Sequence, residues 1–325
     1  MNGAAVVGCG LVGSKRARAL RELGVPVVAV HDVDTAAADA LASELEGAVV
    51  ASSPHDAFGR DGVDFAIVAT DHGALSELAV NAIECGRDVL VEKPGGRTVA
   101  ELADVAAAAQ RAGRRVRVGY NHRFHPAVRA VHAATRSGEY GSLMWLRARY
   151  GHGGRLGYEH EWRADPKRSG GGELLDQGSH LVDLARFLAG DVDLAFSELR
   201  TDFWPMPVED NAFLGLRAAG GGFVWLHASW TEWKNEFEME IALRTARLDV
   251  RGLGGSYGPE RLVVHAMRPE MGVPDTSERS WPGSDDSWRD EVADVRAELH
   301  GHPAIGAGIT DAIAVMRIVE EAYAR

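Results

Sequence analysis

Short apolar runs alternate with helical periodicities through the first third of the chain. Residues 4–7, 25–30, 65–69, 88–91 and 116–118 read as strands. Residues 14–23, 35–45, 74–85 and 99–111 carry the helical pattern between them. Strands spaced by helices of this length imply βαβ units and a parallel, doubly wound sheet. The rhythm changes after about residue 120. Strand-like runs now follow one another at 143–150, 194–202, 212–217, 223–230, 237–244, 247–250 and 261–265, several of them separated by glycine turns. That succession predicts a mostly antiparallel sheet. One helix interrupts it at 172–188, and two more close the chain around 290–299 and 307–324. The polar stretch 271–288, with Pro and Ser, reads as a loop. The fold class expected is an α/β Rossmann domain over 1–120, followed by an α+β domain with an open-faced sheet over 121–325.

Composition narrows the partners. The chain has 325 residues and a net charge of −12. Nucleic acid is not expected, because phosphate neutralisation needs a basic face. No apolar run approaches the roughly 18 residues that cross a bilayer. There are two cysteines, Cys9 and Cys85, and no C-x-x-C, which fits a reducing compartment, with the cytoplasm as the expected location. The apolar N-terminus runs directly into a glycine loop and reads as a first strand, not a signal peptide.

That loop is Gly8-Cys9-Gly10-Leu11-Val12-Gly13, a G-x-G-x-x-G between a strand and a helix. Gly8 makes the tight turn. Gly10 lets a pyrophosphate approach the backbone, with Leu11 and Val12 beside it. Gly13 allows helix and strand to pack closely. Asp32 ends the second strand, 19 residues past Gly13, where a carboxylate can hold the adenine ribose hydroxyls. That acid would repel a 2′-phosphate, so NAD is expected over NADP. Arg16 and Arg18 qualify the preference, since they follow the loop and could meet a phosphate.

Oxidising an alcohol needs a hydride acceptor and a proton acceptor. Asp176 and His180 stand four apart in an amphipathic helical pattern, a spacing that puts both on one helix face. Lys93 leaves the C-terminal end of a parallel strand, where α/β sheets place their ligands. Each also has a plain reading. Lys93 could be a solvated strand-end lysine, and the other two a surface pair. His122 and His125 have the spacing of a metal pair, but no acidic or cysteine partner clusters with them, so no metal is expected. Trp225, Trp230 and Trp233 read as sheet packing or a subunit interface before sugar stacking. Gly170–Gly172 reads as a flexible lead into the helix. Arg163, Lys167 and Arg168 read equally as an anion site or a solvated loop.

Four segments stand in register. These are the glycine loop, Glu92-Lys93-Pro94, the run Gly119-Tyr120-Asn121-His122-Arg123-Phe124-His125-Pro126, and Gly170 to His180. Together they resemble the Gfo/Idh/MocA oxidoreductases, over essentially the whole chain. The resemblance implies that Lys93 contacts substrate hydroxyl and nicotinamide, that Pro94 is cis, and that Asp176 and His180 are the substrate-domain acid and base. It implies that Thr70, Glu92 and Asn121 neighbour the cofactor and that Tyr120, Arg123, Trp162 and Arg163 line the pocket. It implies homodimers or homotetramers through the open sheet face, and a cyclitol, sugar or nucleotide-linked sugar as substrate. Departures fall on the cofactor side: Arg16 and Ser76 stand where many relatives have histidine, and Asp71-His72 where many have Pro-Asn. Two further activities stay open at this stage, a glycoside hydrolase with transient redox and a non-catalytic dinucleotide-sensing regulator.

Overall fold

A computed structural model describes all residues, Met1–Arg325. The chain divides into two compact units. One is Met1–Asn121 with Ser287–Met316, the other His122–Asp286 with Arg317–Arg325. The expected division into 1–120 and 121–325 contains no such return of the chain to its first half.

The first unit runs β1 (Ala4–Val7), α1 (Leu11–Glu22), β2 (Val27–His31), α2 (Thr35–Ser43), β3 (Val49–Val50), α3 (Pro54–Gly59), β4 (Phe65–Val68), α4 (His72–Glu84), β5 (Asp88–Glu92), α5 (Val99–Ala112) and β6 (Val116–Gly119). The strands form one parallel sheet in the order β3-β2-β1-β4-β5-β6. β1 and β4 are buried at every position, which is why they read as unbroken apolar runs. The helices start where short polar side chains cap them. Asp34 accepts from Ala36 N, Ser53 from Asp56 N and Thr98 from Glu101 N. β3 and α3 lay beyond the sequence pattern, because a two-residue exposed strand shows no periodicity.

The second unit contributes α6 (Pro126–Ser137), β7 (Leu143–Gly151), α7 (Pro166–Ser169), a π-helical turn (Leu174–Gly178), α8 (Ser179–Ala189), β8 (Val192–Arg200), β9 (Asn211–Ala218), β10 (Phe223–Ser229), β11 (Glu236–Leu243), β12 (Ala246–Arg251), β13 (Glu260–Ala266) and β14 (Asp275–Trp281). Its eight strands are ordered β14-β13-β12-β11-β7-β10-β9-β8. Every neighbouring pair is antiparallel except β7 and β10. α8 packs on β7, β8 and β10, and α6 on β12 and β13. Along β10 the residues alternate: Val224 and Leu226 are buried, while Phe223 and Trp225 are 42% and 37% exposed. Trp225 stacks on Phe196 of β8. The outward residues of β7, β11 and β12 instead pair charges across strands, as in Arg147 with Glu240, Arg149 with Glu238, and Arg251 with Glu238.

Two expectations need correction here. Residues 271–288 are not simply a loop, since they contain β14. That strand pairs only with β13 and lies almost wholly in solvent, so its side chains are polar and show no apolar alternation. Residues 172–188 are not one regular helix, because the first turn is π-helical. After the second unit, α9 (Ser287–Leu299) returns to the first and packs on α1. Val292 and Val295 join the core of Val6, Leu20, Val30 and Ile67. α10 (Ile309–Tyr323) ends the chain.

Candidate active site

The first unit builds a cradle at the C-terminal ends of β1, β2, β4 and β5. Gly8 has φ +95°, and a Cβ there would lie 2.3 Å from the Ala69 carbonyl oxygen. A Cβ on Gly13 would lie 1.8 Å from the Gly8 carbonyl oxygen. Both glycines are therefore fixed by the protein's own packing. Gly10 differs. It is exposed, and nothing stands within 4 Å of where its Cβ would be. Its reason lies outside the chain, in open space beside the first turn of α1. No side chain caps that turn, so its N–H groups face the same space. Val12 is half-buried beside it, and Leu11 is 76% exposed. Asp32 follows β2. Its carboxylate accepts from Cys9 N at 2.6 Å and Asp34 N at 2.9 Å, which fixes it beside the glycine loop. These features fit a dinucleotide: a tight turn, an uncapped helix start and a carboxylate placed for ribose hydroxyls.

Thr70 follows β4, its hydroxyl donating to the Asp71 carbonyl at 3.2 Å. Lys93 is half-buried at the end of β5, and the Lys93–Pro94 peptide is cis, as the resemblance implied. Glu92 sits in a buried cluster. Arg16 Nε donates to Glu92 Oε1 at 2.7 Å, and Arg16 Nη1 pairs with Glu291 Oε2 of α9 at 2.6 Å. Burial alone would lower the Arg16 pKa, but Glu291 and Glu92 outweigh it and hold the guanidinium above its ordinary value. Arg16 is fully buried, and Arg18 forms a bidentate pair with Glu44. Both guanidinium groups are thus engaged within the protein. Arg16 also lies over the Trp288 ring at 4.6 Å. Asn121 Nδ2 donates to Ser287 Oγ at 2.7 Å, and Tyr120 is completely buried.

The second unit gathers Trp162, Arg163 and Asp176. Arg163 Nε donates to Asp176 Oδ2 at 2.8 Å and its guanidinium covers the Trp162 ring at 4.5 Å. Burial would lower the Arg163 pKa, and Asp176 reverses that. Asp176 lies in the π turn and His180 in the first turn of α8, so their four-residue spacing is not the simple α-helical face expected from sequence. Single π turns recur at functional positions because they re-aim side chains within a helix. Arg123 pairs with α8. Its Nε donates to Asp183 Oδ2 at 2.8 Å, and both side chains are buried, which ties the turn at 121–124 to α8. Of the three tryptophans, Trp230 is fully buried with Tyr158 and Trp204, while Trp225 and Trp233 are exposed.

Glu209 escaped the sequence reading. It is buried between β8 and β9 and accepts from Gly172 N at 3.1 Å, Leu174 N at 3.0 Å and the Tyr323 hydroxyl at 2.7 Å. Burial pushes its carboxyl up, while these donors pull the other way. A Cβ on Gly171 would lie 2.1 Å from Tyr323 Oη, and one on Gly172 2.1 Å from the Glu209 carbonyl oxygen. Those glycines are a packed seat for the π turn and not a flexible lead. Glu209→Ala leaves three donors unsatisfied and is expected to lower stability by about 3 kcal/mol, read as a fall in denaturant midpoint. An unchanged midpoint would show that the seat is dispensable.

Comparison with known proteins follows this geometry. Residues 3–120 match the model of an oxidoreductase family with an NAD-binding Rossmann fold, and residues 128–257 match the GFO/IDH/MocA C-terminal domain. Inositol 2-dehydrogenase 2 of Saccharopolyspora erythraea is 30% identical over 225 residues, 67% of this chain and 64% of that protein. D-apiose dehydrogenase of Paraburkholderia graminis is 33% identical over 198 residues, 58% of this chain and 50% of that protein. The matches therefore span between half and 64% of these curated relatives. Among solved structures, GenD2 from gentamicin A biosynthesis, in complex with NAD, superposes with a TM-score of 0.83 at 26% identity, covering 99% of this chain and 93% of that one.

Proposed function

The chain belongs to the GFO/IDH/MocA oxidoreductases, whose first domain is an NAD-binding Rossmann fold, and on that premise we propose that it oxidises a ring hydroxyl of a cyclitol, sugar or nucleotide-linked sugar. The observation that carries the reading is Asp176, salt-bridged to Arg163 and four residues before the buried His180, in a chain that also has the glycine cradle and Lys93. Bound NAD supplies the hydride acceptor. Lys93 donates to the reacting hydroxyl and makes its proton easier to lose. His180 takes that proton. Asp176, its orientation fixed by Arg163, accepts from a neighbouring hydroxyl and holds the ring. Asp32 disfavours the 2′-phosphate of NADP, and Arg16 and Arg18 are committed to glutamates. The relatives named inositol 2-dehydrogenase and D-apiose dehydrogenase support a polyhydroxylated substrate.

The test is nicotinamide absorbance with NAD or NADP and a panel of cyclitols, sugars, sugar phosphates and nucleotide sugars. Reduction of NAD by one ring class, lost in Lys93→Ala, is expected. Silence across the panel with NAD binding intact would overturn the dehydrogenase.

The exposed sheet face supports an assembly of copies of this chain. Phe196, Phe223, Trp225 and Trp145 are each more than a third exposed on one side of the β8-β9-β10-β7 sheet, and a second copy covering them would remove that surface from water. We assign a homodimer or homotetramer. Light scattering decides, with a monomer mass refuting it. The cytoplasm is the compartment assigned, on the free thiols Cys9 and Cys85. No helix is long and apolar enough to cross a membrane.

A further inference from the structure

His122 and His125, whose spacing resembles a metal pair, use their rings against one another and against His180. The ring of His122 lies flat on that of His180, with centroids 3.9 Å apart and planes 18° apart. Three more rings meet His122 at steep angles: Tyr150 at 4.9 Å, His125 at 5.5 Å and Phe237 at 6.0 Å. His125 is fixed in turn. Its Nδ1 lies 3.2 Å from Glu260 Oε2, and Glu260 Oε1 accepts Ala127 N at 2.5 Å. All four side chains are buried, none more than 6% exposed. A buried carboxylate thus anchors one imidazole, which meets a second at a steep angle, and that second lies flat on a third.

A histidine that accepts a proton must aim one ring nitrogen at the donor. Its terminal torsion is soft and does not fix the ring plane by itself. A flat neighbour does, because any rotation about that torsion drives the ring edge into the stacked face. We infer that His122 is a positioning residue for His180, setting the plane in which His180 meets the substrate hydroxyl. The inference rests on the reading of His180 as the base. Flatness is the property that matters, so phenylalanine serves at 122 and alanine does not.

The first readout needs no turnover. Histidines are labelled with ¹³C at Cε1, and His180→Ala identifies the His180 signal. In the native protein the stacked ring shifts that Cε1–H upfield. His122→Phe keeps the shift and His122→Ala loses it. Kinetically, His122→Ala lowers kcat about tenfold to a hundredfold with KM within about threefold, and His122→Phe stays within about threefold of native. Melting curves confirm that each variant is folded, and His122→Leu, bulky without a flat face, replaces alanine if that variant is not. Native kcat in His122→Ala, or a His122→Phe enzyme as slow as His122→Ala, overturns the inference. Native turnover in His180→Ala would instead mean that His180 is not the base, a separate failure.

Discussion

Replacing His180 by alanine is expected to lower kcat/KM by about 10²- to 10⁴-fold while NAD binds with native affinity, since a positioned general base contributes on that scale. The two quantities separate because of where the residues lie. His180 opens α8 in the second unit, whereas the glycine cradle and Asp32 belong to the first. On the proposed mechanism Lys93→Ala should give a comparable loss, by removing the cation that eases the hydroxyl proton away. On the same proposed mechanism both residues act on one proton, so their double variant should be much less impaired than the product of the single losses. Initial rates at saturating NAD, with NADH fluorescence titration for affinity, decide the matter. Native rates in either single variant would remove that residue from the chemistry.

Arg16→Met should cost the fold about 3–5 kcal/mol at neutral pH, the range for removing one partner from a buried ion pair. The substitution roughly keeps the side chain's volume and deletes its charge. Glu92 and Glu291, 6% and 1% exposed, then lose the guanidinium that bridges them. Denaturant midpoints of both proteins at neutral pH test this. A native midpoint in the variant would mean that the buried bridge is dispensable.

The sequence carried the parts of this protein whose causes are local. Gly8 and Gly13 are dictated by contacts within a few residues or across one strand, and Gly10 stands out by the room around it, so the G-x-G-x-x-G read correctly as a turn into a helix. The buried strands of the first sheet and the alternation in β10 were legible from apolar spacing. What escaped depends on distant partners. Arg16 only qualified the cofactor preference, because its partner Glu291 is 275 residues away. Asp176 and His180 were placed on one α-helical face, because no sequence pattern marks a π turn. Glu209 owes its burial to Gly172 and Tyr323, which periodicity does not connect. β14 is polar because it is a solvated edge, and polarity is also what marks a loop.

The return of α9 bears on how the chain is made. A ribosome delivers β1–β6 before the second unit, yet Val292 and Val295, which complete the core of that half, and Glu291, which meets Arg16, emerge only after all of β7–β14. Until then that half carries an uncovered apolar strip along α1. A nascent chain halted before residue 287 should accordingly engage holding chaperones through β1–β6, although that half leaves the exit tunnel before the second unit.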